Sequence, residues 1–228
     1  MKLVTQVAGL YFVLIFLCCS TLKNNAKYDL ADGKYQQKID HVKVDSYINN
    51  EADTIMVHNL AAGSVTSLPN KILFDLQTHY KFKKPSLDID IITALLKIRP
   101  QAKNILPPQL NTNFNGNVYV GYRADIYNIH YKKSALGLSE RVVNHFGFSI
   151  GGFIGFGNTA MTPSTTNNSI TTEYDGMVFQ KGVAGIIAIN KLTIGLGIGF
   201  DNLFDKNKSR WIYENEPWFG LVLGLNLN

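Results

Sequence analysis

Residues Arg141 to Gly157 read RVVNHFGFSIGGFIGFG. Phe146, Phe148, Ile150, Ile154 and Phe156 fall on one parity. Gly147, Ser149, Gly151, Gly155 and Gly157 fall on the other, with Phe153 as the exception. A period of two puts the two sets on opposite faces of a strand. A soluble sheet buries its apolar face under a second layer. A small membrane barrel turns that face to lipid and fills a narrow interior with small or polar groups.

The alternation recurs downstream. Leu192, Ile194, Leu196, Ile198 and Phe200 oppose Thr193, Gly195, Gly197, Gly199 and Asp201. Phe219, Leu221, Leu223, Leu225 and Leu227 oppose Gly220, Val222, Gly224, Asn226 and Asn228. Between Met177 and Ile189, Phe179, Val183, Ile187 and Ile189 oppose Gln180, Gly182, Ala184 and Ala188. Lys181 interrupts that apolar face, and its stem can snorkel to a headgroup zone. Upstream, Val120, Tyr122, Ala124 and Ile126 oppose Tyr119, Arg123, Asp125 and Tyr127. Strands are also predicted at Ile72 to Lys83 and Leu87 to Ile98, separated by a tight turn at Lys84, Pro85 and Ser86. Beyond Ile92 both parities are apolar, as in a buried edge or a short helix. Thr54 to Asn59 is a further short strand. Ile39 to Ile48 alternates as well, without a fixed place.

Counting from Thr54, the pattern predicts eight strands and an all-β fold, an antiparallel up-and-down transmembrane β-barrel. Short connections (84–86, 133–140, 190–191) alternate with long ones (60–70, 99–116, 159–176, 203–216). That is expected when short turns lie on the periplasmic side and long loops outside. If Ile39 to Ile48 also crossed the membrane, a tenth strand would be required. The predicted organisation is a signal peptide at 1–20, a polar lead-in at 21–50 with one unplaced strand, and a barrel at 51–228.

Composition narrows the class. Hydrophobic residues make up 46% of the 228 and mean hydropathy is near zero. That excludes a bundle of membrane helices, which needs several long apolar runs, but not a barrel. The long apolar run, Leu3 to Cys19, follows Lys2 and ends in Cys18, Cys19 and Ser20. It has the outline of a secretory signal cleaved after Ser20. Lipidation at Cys18 or Cys19, or an uncleaved anchor, are the alternatives. Both cysteines lie in this run, so a chain cleaved there has no disulfide or thiolate chemistry. The net charge of +5 is spread over scattered lysines. Nucleic-acid binding wants a compact basic patch interleaved with aromatics.

The candidate chemistry lies on the inward parity, at Asp75, His79, Asp88, Asp90, Arg123, Asp125 and Asp201. Arginine on a lipid face at mid-depth costs about 2–4 kcal/mol, so Arg123 is expected inside, beside a carboxylate. The set predicts a lumen packed with charge pairs. A catalytic pairing of His79 with Asp75 would span about 13 Å along one strand, beyond hydrogen-bond reach. The five histidines do not fall at metal-ligand spacing. No cofactor is implied. Tyr122, Trp211, Tyr213 and Trp218 are expected at a membrane interface, where ring and polar edge meet different media, with ordinary loop packing as the alternative.

Two stretches carry a resemblance. Pro107 to Asp125 (PPQLNTNFNGNVYVGYRAD) and residues 173–228 resemble uncharacterised outer-membrane β-barrel proteins of Bacteroidetes-type bacteria. Within the second, GLGIGFDNLFDKN at 195–207 and WIYENEPWFGLVLGLNLN at 211–228 are most similar. The resemblance implies export, a barrel and the outer membrane, with outer-membrane lipid and the barrel-assembly machinery as partners. It implies no catalytic residues. The sequence departs from many such proteins by ending on Leu227 and Asn228 rather than on an aromatic residue. The expected role is structural, adhesive or related to small solutes, with a filled lumen. The alternatives are an exported soluble or lipid-tethered barrel binding an apolar ligand, and a lipid-modifying enzyme.

Overall fold

The computed structural model describes residues 30–39, 42–73, 79–102, 106–135, 137–189 and 192–226. The expected signal peptide and Asp75 lie outside these residues. The described chain is built of antiparallel strands. They are β1 (Gly33–Ile39), β2 (Val42–Glu51), β3 (Thr54–Asn59), β4 (Val65–Pro69), β5 (Lys71–Ile72) and β6 (Tyr80–Arg99). They continue with β7 (Gln109–Asn111), β8 (Asn115–Lys133), β9 (Ser139–Met161), β10 (Tyr174–Ile189), β11 (Leu192–Leu203) and β12 (Pro217–Asn226).

The sheet order is β12-β11-β10-β9-β8-β6-β1-β2-β3-β4, and β12 also pairs with β6. That last pairing, from Phe219↔Ile98 to Asn226↔Asp90, brings six strands into a ring. The strands β6, β8 and β9 run on past the ring into a second storey. There β1 pairs with β6 at Gln36↔Lys83, and β5 pairs with β9 at Lys71↔Glu140. The strands β1 to β4 curl between these two edges over a second core that includes Tyr35, Ile48, Val57, Leu68, Phe82 and Ile129.

The ring has six strands where the pattern predicts eight, for two reasons. The expected turn at Lys84, Pro85 and Ser86 is continuous strand inside β6. Proline is tolerated because residues 84–89 pair with β8 alone, β1 stopping at Lys83 and β12 at Asp90. The other reason is that Thr54–Asn59 belongs to the second storey. The lead-in contributes the hairpin β1–β2, and the expected loop at 60–70 contains β4.

The double apolar parity beyond Ile92 is a β-bulge. Leu221 pairs with Leu96, but Val222 pairs with Ala94, leaving Leu95 as the extra residue. A bulge switches the face that later residues occupy. Before it, Asp88, Asp90, Ile92 and Ala94 face inward; after it, Lys97 and Arg99 do. The Asn115 side chain bridges the same place, accepting from Ala94 N at 2.7 Å and donating to Ala94 O at 2.8 Å. These bonds stand in for the ladder where regular β8 pairing stops at Ile92↔Asn117.

The two faces of the ring separate sharply. Phe148, Ile150 and Phe156 are 48%, 60% and 54% exposed on the outside, whereas Tyr119 and Trp218 are 0% exposed within. Inward glycines accept the curvature of so small a ring. A Cβ on Gly151 would stand 2.2 Å from Val120 O, and one on Gly182 the same distance from Ile198 O.

Candidate functional site

The interior is layered along the axis. The second-storey core gives way to a polar layer around Arg123 and Asp125. Next comes an apolar layer with Ile92, Tyr119, Phe153, Ile186, Trp218 and Val222. A second polar layer around Asp201 follows, and Met161, Val178, Leu203, Trp211, Ile212 and Tyr213 close the loop end.

In the first polar layer Arg123 Nε donates to Asp125 Oδ1 at 2.7 Å, and Arg123 Nη1 lies 3.6 Å from Asp88 Oδ1. His145 Nε2 is 2.7 Å from the same Asp125 oxygen, and its ring lies 4.8 Å from that of Tyr127. The neighbouring glycine makes room for the pair. A Cβ on Gly147 would come within 2.9 Å of both Arg123 Nη2 and Asp125 Oδ1. Above them the Tyr119 and Ser149 hydroxyls bond at 2.8 Å.

In the second polar layer Asp201 receives Arg99 Nη2, Lys97 Nζ at 3.5 Å and the indole N–H of Trp218 at 2.8 Å. Lys97 Nζ lies 4.8 Å from the Trp218 ring centroid. The Arg99 guanidinium sits 5.0 Å from the Trp211 ring and 5.2 Å from that of Tyr213. Such cation–π contacts hold the loop 204–216 over the end of the ring. Burial pushes the Tyr213 phenol up, against the lowering effect of Arg99. In the second storey, burial and then the charge of Asp125 push the Tyr35 phenol up.

Of the expected inward polar residues, Asp88, Asp90, Arg123, Asp125 and Asp201 are all buried in the ring. His79 is a correction, because it is exposed, with its ring 5.9 Å from that of His130. Trp211, Tyr213 and Trp218 are corrections too. Each is at most 3% exposed and packs inside the ring or its cap, so none stands at an outer surface. Tyr122 alone of that set is exposed and outward.

The structure adds Lys97, Arg99, Tyr119 and His145 to the interior set. His145 was legible, since it shares the inward parity of Gly147 and Ser149. Lys97 and Arg99 were hidden by the bulge at Leu95. These groups hold one another and present no nucleophile to a base. His145 and Ser149 are four residues apart on one strand, about 13 Å, and the Ser149 hydroxyl is bound to Tyr119. No group of three or more His, Cys, Asp or Glu side chains that could hold a metal ion is found among the described residues.

Outside the ring, an apolar groove of about 480 Å³ crosses β9 to β12 and the end of β6, with Ile98, Leu110, Val183, Leu196 and Phe219 on its walls. At the loop end a polar cleft is lined by residues 169–172, Tyr174, 205–207 and Arg210. Its Tyr174 hydroxyl donates to Asp205 Oδ2 at 2.7 Å. No protein-family model, no curated protein and no solved structure matches the chain.

Proposed function

We propose that the six-stranded ring is a closed barrel spanning a bacterial outer membrane, and that the protein is an exported, side-chain-filled anchor. It carries the β1–β4 storey at one membrane face and the long loops at the other. The observation that carries this reading is the height of the outward apolar band. On β9 it runs from Phe146 to Phe156, between exposed Asn144 and half-buried Asn158. Ten residue steps at about 3.4 Å make about 34 Å along the strand. A strand tilt of about 40° reduces that to about 26 Å, close to the apolar band of an outer-membrane barrel, about 25 Å.

Two further features support it. Long connections (162–173, 204–216 and the described part of 100–108) gather at one end of the ring, as expected of barrels with short periplasmic turns. The outward groove around Leu196 and Phe219 has apolar walls suited to lipid tails. Six strands are fewer than the eight of the smallest bacterial outer-membrane barrels, and the inward glycines are the feature that lets so narrow a ring close. The filled interior favours a structural or adhesive role over transport.

Cell fractionation is the test. The protein is expected in the outer-membrane fraction, released only by detergent, with a gel mobility that changes on heating. Recovery in the soluble periplasm without detergent would overturn the proposal and favour a soluble barrel with an apolar ligand on its outer groove.

A further inference from the structure

We propose that the outer wall formed by β1, β2 and the start of β6 is a cationic platform for the anionic phosphate headgroups of the leaflet beside the second storey, an inference that rests on the membrane reading above. Lys34 and Lys38 of β1, Lys43 of β2, and Lys81 and Lys83 of β6 all point outward and are exposed. Among the described residues none of the five has an ion-pair partner. Among the described residues the acids on this wall are Asp45, across from Gln36, Glu51, which is engaged by Asn49 at 2.8 Å, and Asp32 just before β1, which accepts from Asn50. The wall made by β3 and β4 has no charged residue at all. The excess of lysine on β1, β2 and the start of β6 is therefore absent from the β3–β4 wall.

The register makes the arrangement costly. Lys38 stands directly opposite Lys43 in the β1–β2 pair. Like charges facing each other across an antiparallel pair destabilise it. Among the described residues neither lysine has an ion-pair partner that offsets the repulsion, whereas an external anion would.

Position selects the anion. Lys83 pairs with Ile126, and Ile126 pairs with Phe146, where the apolar band of β9 begins. Lys83 thus stands at the row where the outward apolar residues of β8 and β9 begin, with Lys38, Lys43 and Lys81 farther from the ring. Lys34 stands opposite Tyr47, which is exposed as aromatics at a headgroup level commonly are. Lys38 lies four residues below Lys34, about 14 Å along the strand and less when tilted. That is close to the screening length of about 8–10 Å, and lysine stems can reach upward. Each lysine nearest an anionic surface strengthens attraction by about fivefold.

The test uses the full chain reconstituted in phosphatidylcholine vesicles with and without phosphatidylglycerol. The lipid kept by the detergent-extracted protein is measured by mass spectrometry. The wild type is expected to enrich phosphatidylglycerol, less so at high salt. The triple variant Lys34→Glu, Lys38→Glu, Lys83→Glu should insert equally well into phosphatidylcholine while its enrichment falls at least fivefold. Lys38→Glu alone should raise the thermal transition in phosphatidylcholine, because it turns a repulsive pair into an attractive one, and should still lower enrichment. Equal enrichment by wild type and triple variant would overturn the platform. So would tighter binding of soluble polyphosphate than of lipid, which would mark a docking face for a soluble polyanion. Failure of the wild type to enter phosphatidylcholine would instead sink the membrane reading, and the headgroup proposal with it.

Discussion

The indole N–H of Trp218 donates to Asp201 Oδ1 at 2.8 Å, while Lys97 and Arg99 reach the other oxygen of the same carboxylate. One buried acid thus joins β12, β11 and the end of β6 where the ring closes. Removing it leaves two cations buried without that acid, and breaking a buried pair typically costs about 3–5 kcal/mol. Asp201→Asn is expected to lower the temperature at which the detergent-solubilised protein loses its heat-modifiable gel shift by more than Trp218→Phe, which loses one hydrogen bond and part of the buried ring beneath Lys97. Equal shifts would mean that Lys97 and Arg99 do not depend on Asp201.

Arg123 and Asp125 lie two residues apart on β8 and bond at 2.7 Å within the ring. Arg123→Leu should weaken folding by about 3–5 kcal/mol without changing membrane targeting. Ala124→Leu, on the outward face, should be close to neutral. The gel-shift transition compares them directly. A large drop for Ala124→Leu with none for Arg123→Leu would mean that the faces are reversed.

A Cβ on Gly147 would come within 2.9 Å of Arg123 Nη2 and Asp125 Oδ1, so the buried pair would have to shift to admit it. Gly147→Ala is expected to cost about 1–3 kcal/mol by overpacking. Gly185→Ala, on the outward face with nothing within 4 Å of the added carbon, is the control. Unfolding curves in urea for both variants decide the point.

The bulge absorbs Leu95 and keeps Lys97 and Arg99 inward. Deleting Leu95 would return β6 to unbroken alternation with Lys97 and Arg99 still facing inward, because Leu96 would follow Ala94 in the register the two already hold with β12. The deletion should therefore keep the folded band on an unheated gel, as should Leu95→Ala, and loss of the band in the deletion variant alone would mean that the bulge itself is needed. A folded deletion variant would show that ring closure does not need the bulge.

Conduction should be absent. Tyr119, Phe153 and Trp218 are buried across the middle of the ring. Neither the wild type nor Phe153→Ala is expected to give steady nanosiemens conductance in a planar bilayer. Such a current would require a wider ring than six strands make.

The inward and outward parities of β9, β10, β11 and β12 were legible from alternation alone, because side chains of a strand leave it on strictly alternating sides. The burial of Asp88, Asp90, Arg123, Asp125 and Asp201 followed from the same rule. Strand pairing was not legible. Pro85 reads as a turn locally and is tolerated only because no second neighbour pairs with residues 84–89, a fact that depends on where β1 and β12 end. Trp218 reads as an interface aromatic locally, yet its inward parity and the position of Asp201 on β11 place it in the core.

By itself the sequence determined an all-β chain with one apolar and one small-or-polar face per strand, since a period of two is a property of each strand alone. Only the tertiary structure decided how many strands form the ring, that the N-terminal strands build a second storey, and that Lys97 and Arg99 join Asp201. Those outcomes depend on register between strands distant in sequence. A single inserted residue, Leu95, is enough to reverse the faces of everything after it in β6.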